Sequence, residues 1–155
     1  MDSRRILITG AGSGIGAELA ALLAAAGHEV IATDIDRAAA LSVADAIVER
    51  GGAAVAYGLD VTQPSAVETA MRAAGRVDVL VNNAGQQHVA RLEEFPADRW
   101  ALLVAVMLTG AANMTRAVLP GMRAGNFGRI VNIGSIHSLV ASPFKSAYIA
   151  AKHGL

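Results

Sequence analysis

The sequence predicts a single doubly wound α/β domain over residues 1–155, a parallel sheet with helices on both faces. Three observations predict it. Short apolar runs alternate with alanine- and leucine-rich helical stretches, a glycine cluster joins the first run to the first helix, and the runs stay apolar instead of alternating. A strand without polar alternation is buried on both sides, as in a parallel sheet covered by helices.

The elements follow in order. Arg5 to Thr9 is an apolar strand, and Gly10 to Gly16 turns into the helical run Glu18 to Leu23, which ends near Gly27. Val30 to Thr33 is a second strand, and Arg37 to Arg50 a second helix closed by Gly51-Gly52. Ala53 to Tyr57 is a third strand; Pro64 opens a helix to about Ala74; Val77 to Val81 is a fourth strand. A loop from Asn82 to Pro96 precedes a long helical region, Asp98 to about Arg123, with a break expected near Pro120 and Gly121. Arg129 to Gly134 is a fifth strand, and a final helix starts near Ala147. Right-handed crossovers set the glycine turn, the Asn82 loop and the Ser135 segment at the carboxyl ends of strands, where such sheets bind ligands.

Composition removes several function classes. Thirteen basic residues balance thirteen acidic ones with no long block of either sign, which argues against a nucleic-acid surface or a polybasic membrane anchor. With no cysteine, thiolate catalysis and zinc–sulfur sites are excluded, and a reducing cytoplasm fits. No uninterrupted apolar run approaches the roughly 20 residues of a spanning helix, so no membrane role is expected. His88, His137 and His153 are too scattered to read as metal ligands.

Thr9-Gly10-Ala11-Gly12-Ser13-Gly14-Ile15-Gly16 sits between the first strand and first helix, where glycines permit tight backbone geometry and helix N-terminal amides can face a pyrophosphate. The same residues would also serve simple helix entry. Asp34 ends the second strand, where a carboxylate can accept hydrogen bonds from an adenosine ribose and repel a 2′-phosphate, favouring NAD over NADP; a surface cap is the plainer alternative. Tyr148 and Lys152, four apart, share one face of the final helix, so the ammonium can lower the phenol's pKa. Any helix can carry such a pair by chance, and Ser135 upstream gives it context.

Together, the T-G-x-x-x-G-x-G turn, Asn82-Asn83-Ala84-Gly85 and the order Ser135, Tyr148, Lys152 resemble the classical short-chain dehydrogenase/reductase family, which implies a Rossmann-like fold and a nicotinamide dinucleotide. By that resemblance Gly10, Ser13, Gly14, Ile15, Gly16, Asp34, Asp60, Val61, Asn83, Ala84, Gly85, Tyr148 and Lys152 bind NAD. Ser135, Tyr148 and Lys152 are then catalytic: Tyr148 moves the substrate hydroxyl proton, Ser135 polarises the oxygen, and Lys152 holds the nicotinamide ribose and tunes Tyr148. Gln86-Gln87-His88 and the run from Ser135 to Gly154 are similar to the branch of the family that interconverts (R)-3-hydroxybutanoate and acetoacetate. There the residues matching Gln87, His137 and Lys145 contact the substrate carboxylate. The implied partners are a small hydroxy or keto acid and, for the full-length form, further copies of the chain, as a tetramer.

Two departures qualify the resemblance. Met107 stands where the family carries a catalytic asparagine, and a thioether is a weak acceptor and no donor, so a damaged proton relay is expected. Members are also longer, so the chain is expected to be cut short after the start of the catalytic helix. Alternatives are another alcohol dehydrogenase or 3-oxoacyl reductase of the family, a catalytically impaired dinucleotide-binding protein, or an assembly protein using the long helix.

Overall fold

A computed structural model describes residues 2–155. The elements are β1 (Arg5–Thr9), α1 (Gly14–Ala25), β2 (Glu29–Asp34), α2 (Arg37–Glu49), β3 (Ala53–Gly58), α3 (Pro64–Ala74), β4 (Val79–Asn82), α4 (Ala97–Val104), α5 (Gly110–Ala124), β5 (Arg129–Asn132) and α6 (Ser146–Gly154). The sheet is parallel in every pairing, with spatial order β3-β2-β1-β4-β5. The chain therefore runs outward from β1 to β3 and then restarts on the other side of β1, which makes the β1–β4 boundary the topological switch point.

Strand periodicity sorts the apolar residues into two layers. In β1, Leu7 points to one face and packs with Leu80, Val67 and Ala70 of α3, and Met114, Val118 and Met122 of α5. Its neighbours Ile6 and Ile8 point to the other face and pack with Ala20 and Ala24 of α1 and Ile47 of α2. Small alanines at the helix contacts let α1 approach the sheet closely. Both faces of β1 are thus covered, as its unbroken apolar run predicts.

The amino end of the sheet is fastened by charge. Arg5 donates through Nε and Nη2 to both carboxylate oxygens of Glu29, each at 2.9 Å, and through Nη1 to the carbonyl of Ala74 at 2.9 Å. Asp78, buried beside it, accepts from the Arg5 amide at 2.9 Å and from Arg76 Nε at 2.7 Å. Burial raises the Asp78 carboxyl pKa, but the Arg5 amide, the Arg76 guanidinium and the nearby Arg4 outweigh it, and the net shift is downward.

Several boundaries differ from expectation, among them the fifth strand, which ends at Asn132 instead of Gly134. The fourth strand begins at Val79 instead of Val77, because Asp78 turns its side chain back to cap β1. The last helix begins at Ser146, one residue earlier than expected. More consequentially, the long helix does not break at Pro120, which lies inside α5 on its exposed side where a missing N–H is easily tolerated. Its irregularity is a π turn at Ala105–Thr109, joining α4 to α5 around the buried Met107. The continuous stretch Ala97–Ala124 is 28 residues and, by length and composition, apolar enough to cross a membrane. Its apolar residues Leu103, Met107, Met114, Val118 and Met122 are buried in the core.

Candidate active site

The carboxyl ends of the strands open onto a cleft of about 710 Å³ at the switch point. Its walls include Gly10, Ser13, Gly14 and Ile15 from the glycine turn, Asp34 after β2, Asp60 and Val61 after β3, Asn83 to Gln87 after β4, and Tyr148 and Lys152 of α6. Residues separated by more than a hundred positions in the sequence therefore share one cavity.

The glycine turn is shaped by hydrogen bonds with the residues just after β4. Thr9 Oγ1 accepts from the amides of Asn83 and Ala84, both at 3.0 Å, while Asn83 Nδ2 donates to the carbonyls of Thr9 and Gly10 at 3.0 Å. Gly10 and Gly14 take φ values of +64° and +52°, a region that favours glycine. Gly16 lies beneath the turn instead of lining the cleft: a β-carbon there would collide with the Gly10 carbonyl and stand 2.6 Å from Asn83 Nδ2. Helix α1 has neither a side-chain cap nor an acidic residue in its first turn. Its positive end is consequently left facing the cleft, whereas α2 is capped by Asp36, which accepts from Ala38 and Ala39 amides.

Asp34 is held in place at the opposite wall. Its Oδ2 accepts from the Gly12 amide at 2.9 Å and its Oδ1 from the Asp36 amide at 3.0 Å. Asp60 Oδ1 accepts from both the amide and hydroxyl of Thr62, at 2.9 and 2.7 Å. The adjoining Val61 is anchored from below, where the buried Asn113 of α5 donates to its carbonyl at 3.1 Å.

At the other end, Lys152 is 6% exposed and donates from Nζ to the Ile133 carbonyl at 2.5 Å. Burial pushes its ammonium pKa below the usual lysine range. The Nζ stands 5.9 Å from the centre of the Tyr148 ring. Met107 lines the cleft and packs with Leu103, Ala147 and Ala151, so its thioether is both wall and core.

Gln87 lies in the cleft wall, while Ser135, His137 and Lys145 form a neighbouring group. Ser135 Oγ accepts from the His137 amide at 3.2 Å, in a capping box with Ser138; among the described residues no hydrogen bond joins it to Tyr148. The His137 ring meets the Tyr148 ring edge-on, with centroids 6.1 Å apart. Because the Val140 carbonyl can only accept, its 3.1 Å contact assigns the proton to His137 Nδ1. Nε2 then faces Ser142 Oγ and Lys145 Nζ as an acceptor, both at 3.4 Å. The Ala90 amide donates to the Phe144 carbonyl at 3.0 Å, binding this segment to the loop after β4.

The sequence marks Thr9 only as the start of the turn motif, and it does not mark Asn113 as shaping the site, nor Leu102, Val106 and Ile133 as cleft wall. An asparagine on the apolar face of a helix is the signal that marks Asn113.

The family model for short chain dehydrogenase matches residues 4–155. The chain belongs to that family. It is 43% identical to a D-beta-hydroxybutyrate dehydrogenase of Cupriavidus necator and 40% identical to one of Rhizobium meliloti, alignments that cover 100% and 99% of the chain. Its fold matches, with a TM-score of 0.93 and 39% identity over 99% of the chain, a gluconate 5-dehydrogenase of Burkholderia cenocepacia in complex with NADP and tartrate. The chain spans 62% of the length of each of these three proteins.

Proposed function

We propose that the protein is an NAD-dependent dehydrogenase interconverting (R)-3-hydroxybutanoate and acetoacetate. The observation that carries the reading is the meeting in one cleft of an uncapped helix N-terminus, a fixed carboxylate and the Tyr148–Lys152 pair. The names of the Cupriavidus and Rhizobium relatives support the substrate.

The residues present suit a nicotinamide dinucleotide. The unpaired amides at the start of α1, with Gly10 and Gly14, would take the pyrophosphate. Asp34 would accept from the adenosine ribose hydroxyls and repel a 2′-phosphate, which is our ground for NAD although the Burkholderia neighbour holds NADP. Asp60, Val61 and Asn83 to Gly85 would line the nucleotide's path, with Gly16 acting from beneath by keeping the turn against α1. When bound, the nicotinamide accepts or supplies the hydride.

The chain's own work is then binding and proton transfer. Tyr148 Oη takes the proton from the substrate hydroxyl in the oxidative direction and returns it in reduction. Lys152, one turn away, stabilises the phenolate by its charge and holds the nicotinamide ribose. Ser135 Oγ, fixed by the His137 amide, hydrogen-bonds the reacting oxygen. Gln87 and Lys145 recognise the carboxylate, with the Lys145 ammonium supplying the charge, and His137 serves that site by holding the ammonium through its acceptor Nε2.

Assaying the full-length protein with (R)-3-hydroxybutanoate and NAD tests the reading. NADH formation that falls about 10²–10⁴-fold in Tyr148→Phe is the expected result. Tight NAD binding without turnover would instead identify a dinucleotide-binding protein disabled by Met107, and turnover of neutral alcohols alone would move it to another branch of the family.

A further inference from the structure

Phe144 stands in the left-handed region at φ +65°, one of two residues other than glycine to do so among the described residues. The other, Asn126, is of a type that tolerates this conformation, whereas a bulky side chain rarely takes it. Core packing does not hold Phe144 there, since it is 51% exposed. What holds it comes from the loop after β4. The Ala90 amide donates to the Phe144 carbonyl at 3.0 Å, and among the described residues no other backbone hydrogen bond joins residues 83–96 to residues 133–146. The Arg91 guanidinium lies 5.9 Å from the centre of the Phe144 ring.

Each end of this contact adjoins a group that the proposed reaction uses. Phe144 is followed directly by Lys145, the residue at the start of α6 whose Nζ meets His137 Nε2 at 3.4 Å. Ala90 comes three residues after Gln87, in the cleft wall. The loop carrying Gln87 is fixed a second time through His88, whose ring packs edge-on against Phe95 with centroids 5.0 Å apart. Phe95 meets Trp100 in the same way at 5.7 Å, and both pack against the cluster of Leu103, Met107, Ala147 and Ala151. With an ordinary negative φ the chain leaving Phe144 would take another direction. Its carbonyl would then miss Ala90, and Lys145 would not enter α6 at its present place.

We propose that Phe144 is a positioning residue for acid recognition: its left-handed backbone, latched by the Ala90 amide, fixes the spacing between Gln87 and Lys145 and thereby the place of the substrate carboxylate. The backbone conformation carries this role and the ring does not. A carboxylate is gripped from two sides only where the grips keep a constant separation, because hydrogen bonds weaken steeply once their geometry is disturbed. Strain held at such a position is repaid by the preorganised site. The inference rests on the carboxylate role proposed above for Gln87 and Lys145.

Steady-state kinetics and amide hydrogen exchange on the full-length protein test it together. Phe144→Asn removes the ring but suits the left-handed region, so KM for (R)-3-hydroxybutanoate should stay within about twofold and the Ala90 amide should stay protected. Phe144→Pro fixes φ near about −65° and forbids that region. Exchange at Ala90 should then quicken by about tenfold or more, and KM should rise about tenfold with kcat nearly unchanged. An unchanged KM in Phe144→Pro, an equal rise in Phe144→Asn, or a loss confined to kcat overturns the proposal. Should Phe144→Pro fail to fold, Phe144→Val takes its place, because a β-branched residue is least at ease at positive φ. A KM for Phe144→Val equal to that of the wild type overturns the proposal, and a rise in KM with faster exchange at Ala90 supports it. A wild type that leaves (R)-3-hydroxybutanoate unconverted is a different failure, that of the proposed function itself, whereas a converting wild type with indifferent variants sinks only the role of Phe144.

Discussion

The Gly12 amide donates to the Asp34 carboxylate across 2.9 Å, so the turn after β1 and the end of β2 are locked to each other. The Asp36 amide holds the second carboxylate oxygen. Replacing Asp34 with serine should therefore weaken NAD binding by about tenfold or more, the loss of a hydrogen bond to a charged group, while NADP binding improves. The ratio of the two dissociation constants, measured by fluorescence titration, checks this. An unaltered ratio would leave Asp34 as a turn anchor only.

Lys145 is expected to act on substrate affinity more than on the chemical step. Lys145→Met keeps the length of the side chain and removes its charge, so KM for a hydroxy acid should rise about 10–100-fold with a much smaller change in kcat. A neutral alcohol should lose nothing. Comparing the two substrates in steady-state kinetics separates carboxylate recognition from general damage to the loop.

Gly16 offers a test of packing. Its α-hydrogen faces the Gly10 carbonyl and Asn83 Nδ2, and a methyl has no room. Gly16→Ala should destabilise the protein by about 1–3 kcal/mol through overpacking, seen as a lower urea midpoint, and should weaken dinucleotide binding because the glycine turn is pushed away from α1.

Acid stability should depend on Asp78. The folded state lowers this carboxyl's pKa below 3.8, so its ionised form stabilises the fold. That contribution is fully present above pH 3.8 and is lost as pH falls through the lower folded value. Asp78→Asn should cost about 1–3 kcal/mol at neutral pH. It should also flatten the acid limb of the stability profile, and urea unfolding at a series of pH values measures both effects.

Much of this architecture is legible in the sequence because it follows from local rules. The apolar run of β1, the glycines after Thr9 and Pro64 opening α3 each declare their structure within a few residues. The Tyr148–Lys152 spacing declares a shared helix face in the same way. What remained hidden is set by distant partners. Gly16 reads like its neighbours in the turn, and only the approach of Asn83 shows that it packs beneath the cleft instead of lining it. Pro120 looked like the natural breaking point, yet its exposed side tolerates it, and the irregularity falls among ordinary helix formers at Ala105–Thr109. Asn113 likewise acquires meaning only from the Val61 carbonyl.

The π turn at Ala105–Thr109 acts as a change of phase within one rod. In an unbroken α-helix, positions 107 and 114 are seven residues apart and share a face. Here Met107 belongs to the cluster with Ala147 and Ala151 of α6, while Met114 joins the cluster under the sheet with Leu7 and Leu80. A deletion of one residue within the turn would make the hydrogen bonding of the rod more regular and rotate one half against the other by about 100°. Either the helix under the sheet or the wall beside Lys152 would then present the wrong side chains, so in this segment the imperfect helix is the one that fits.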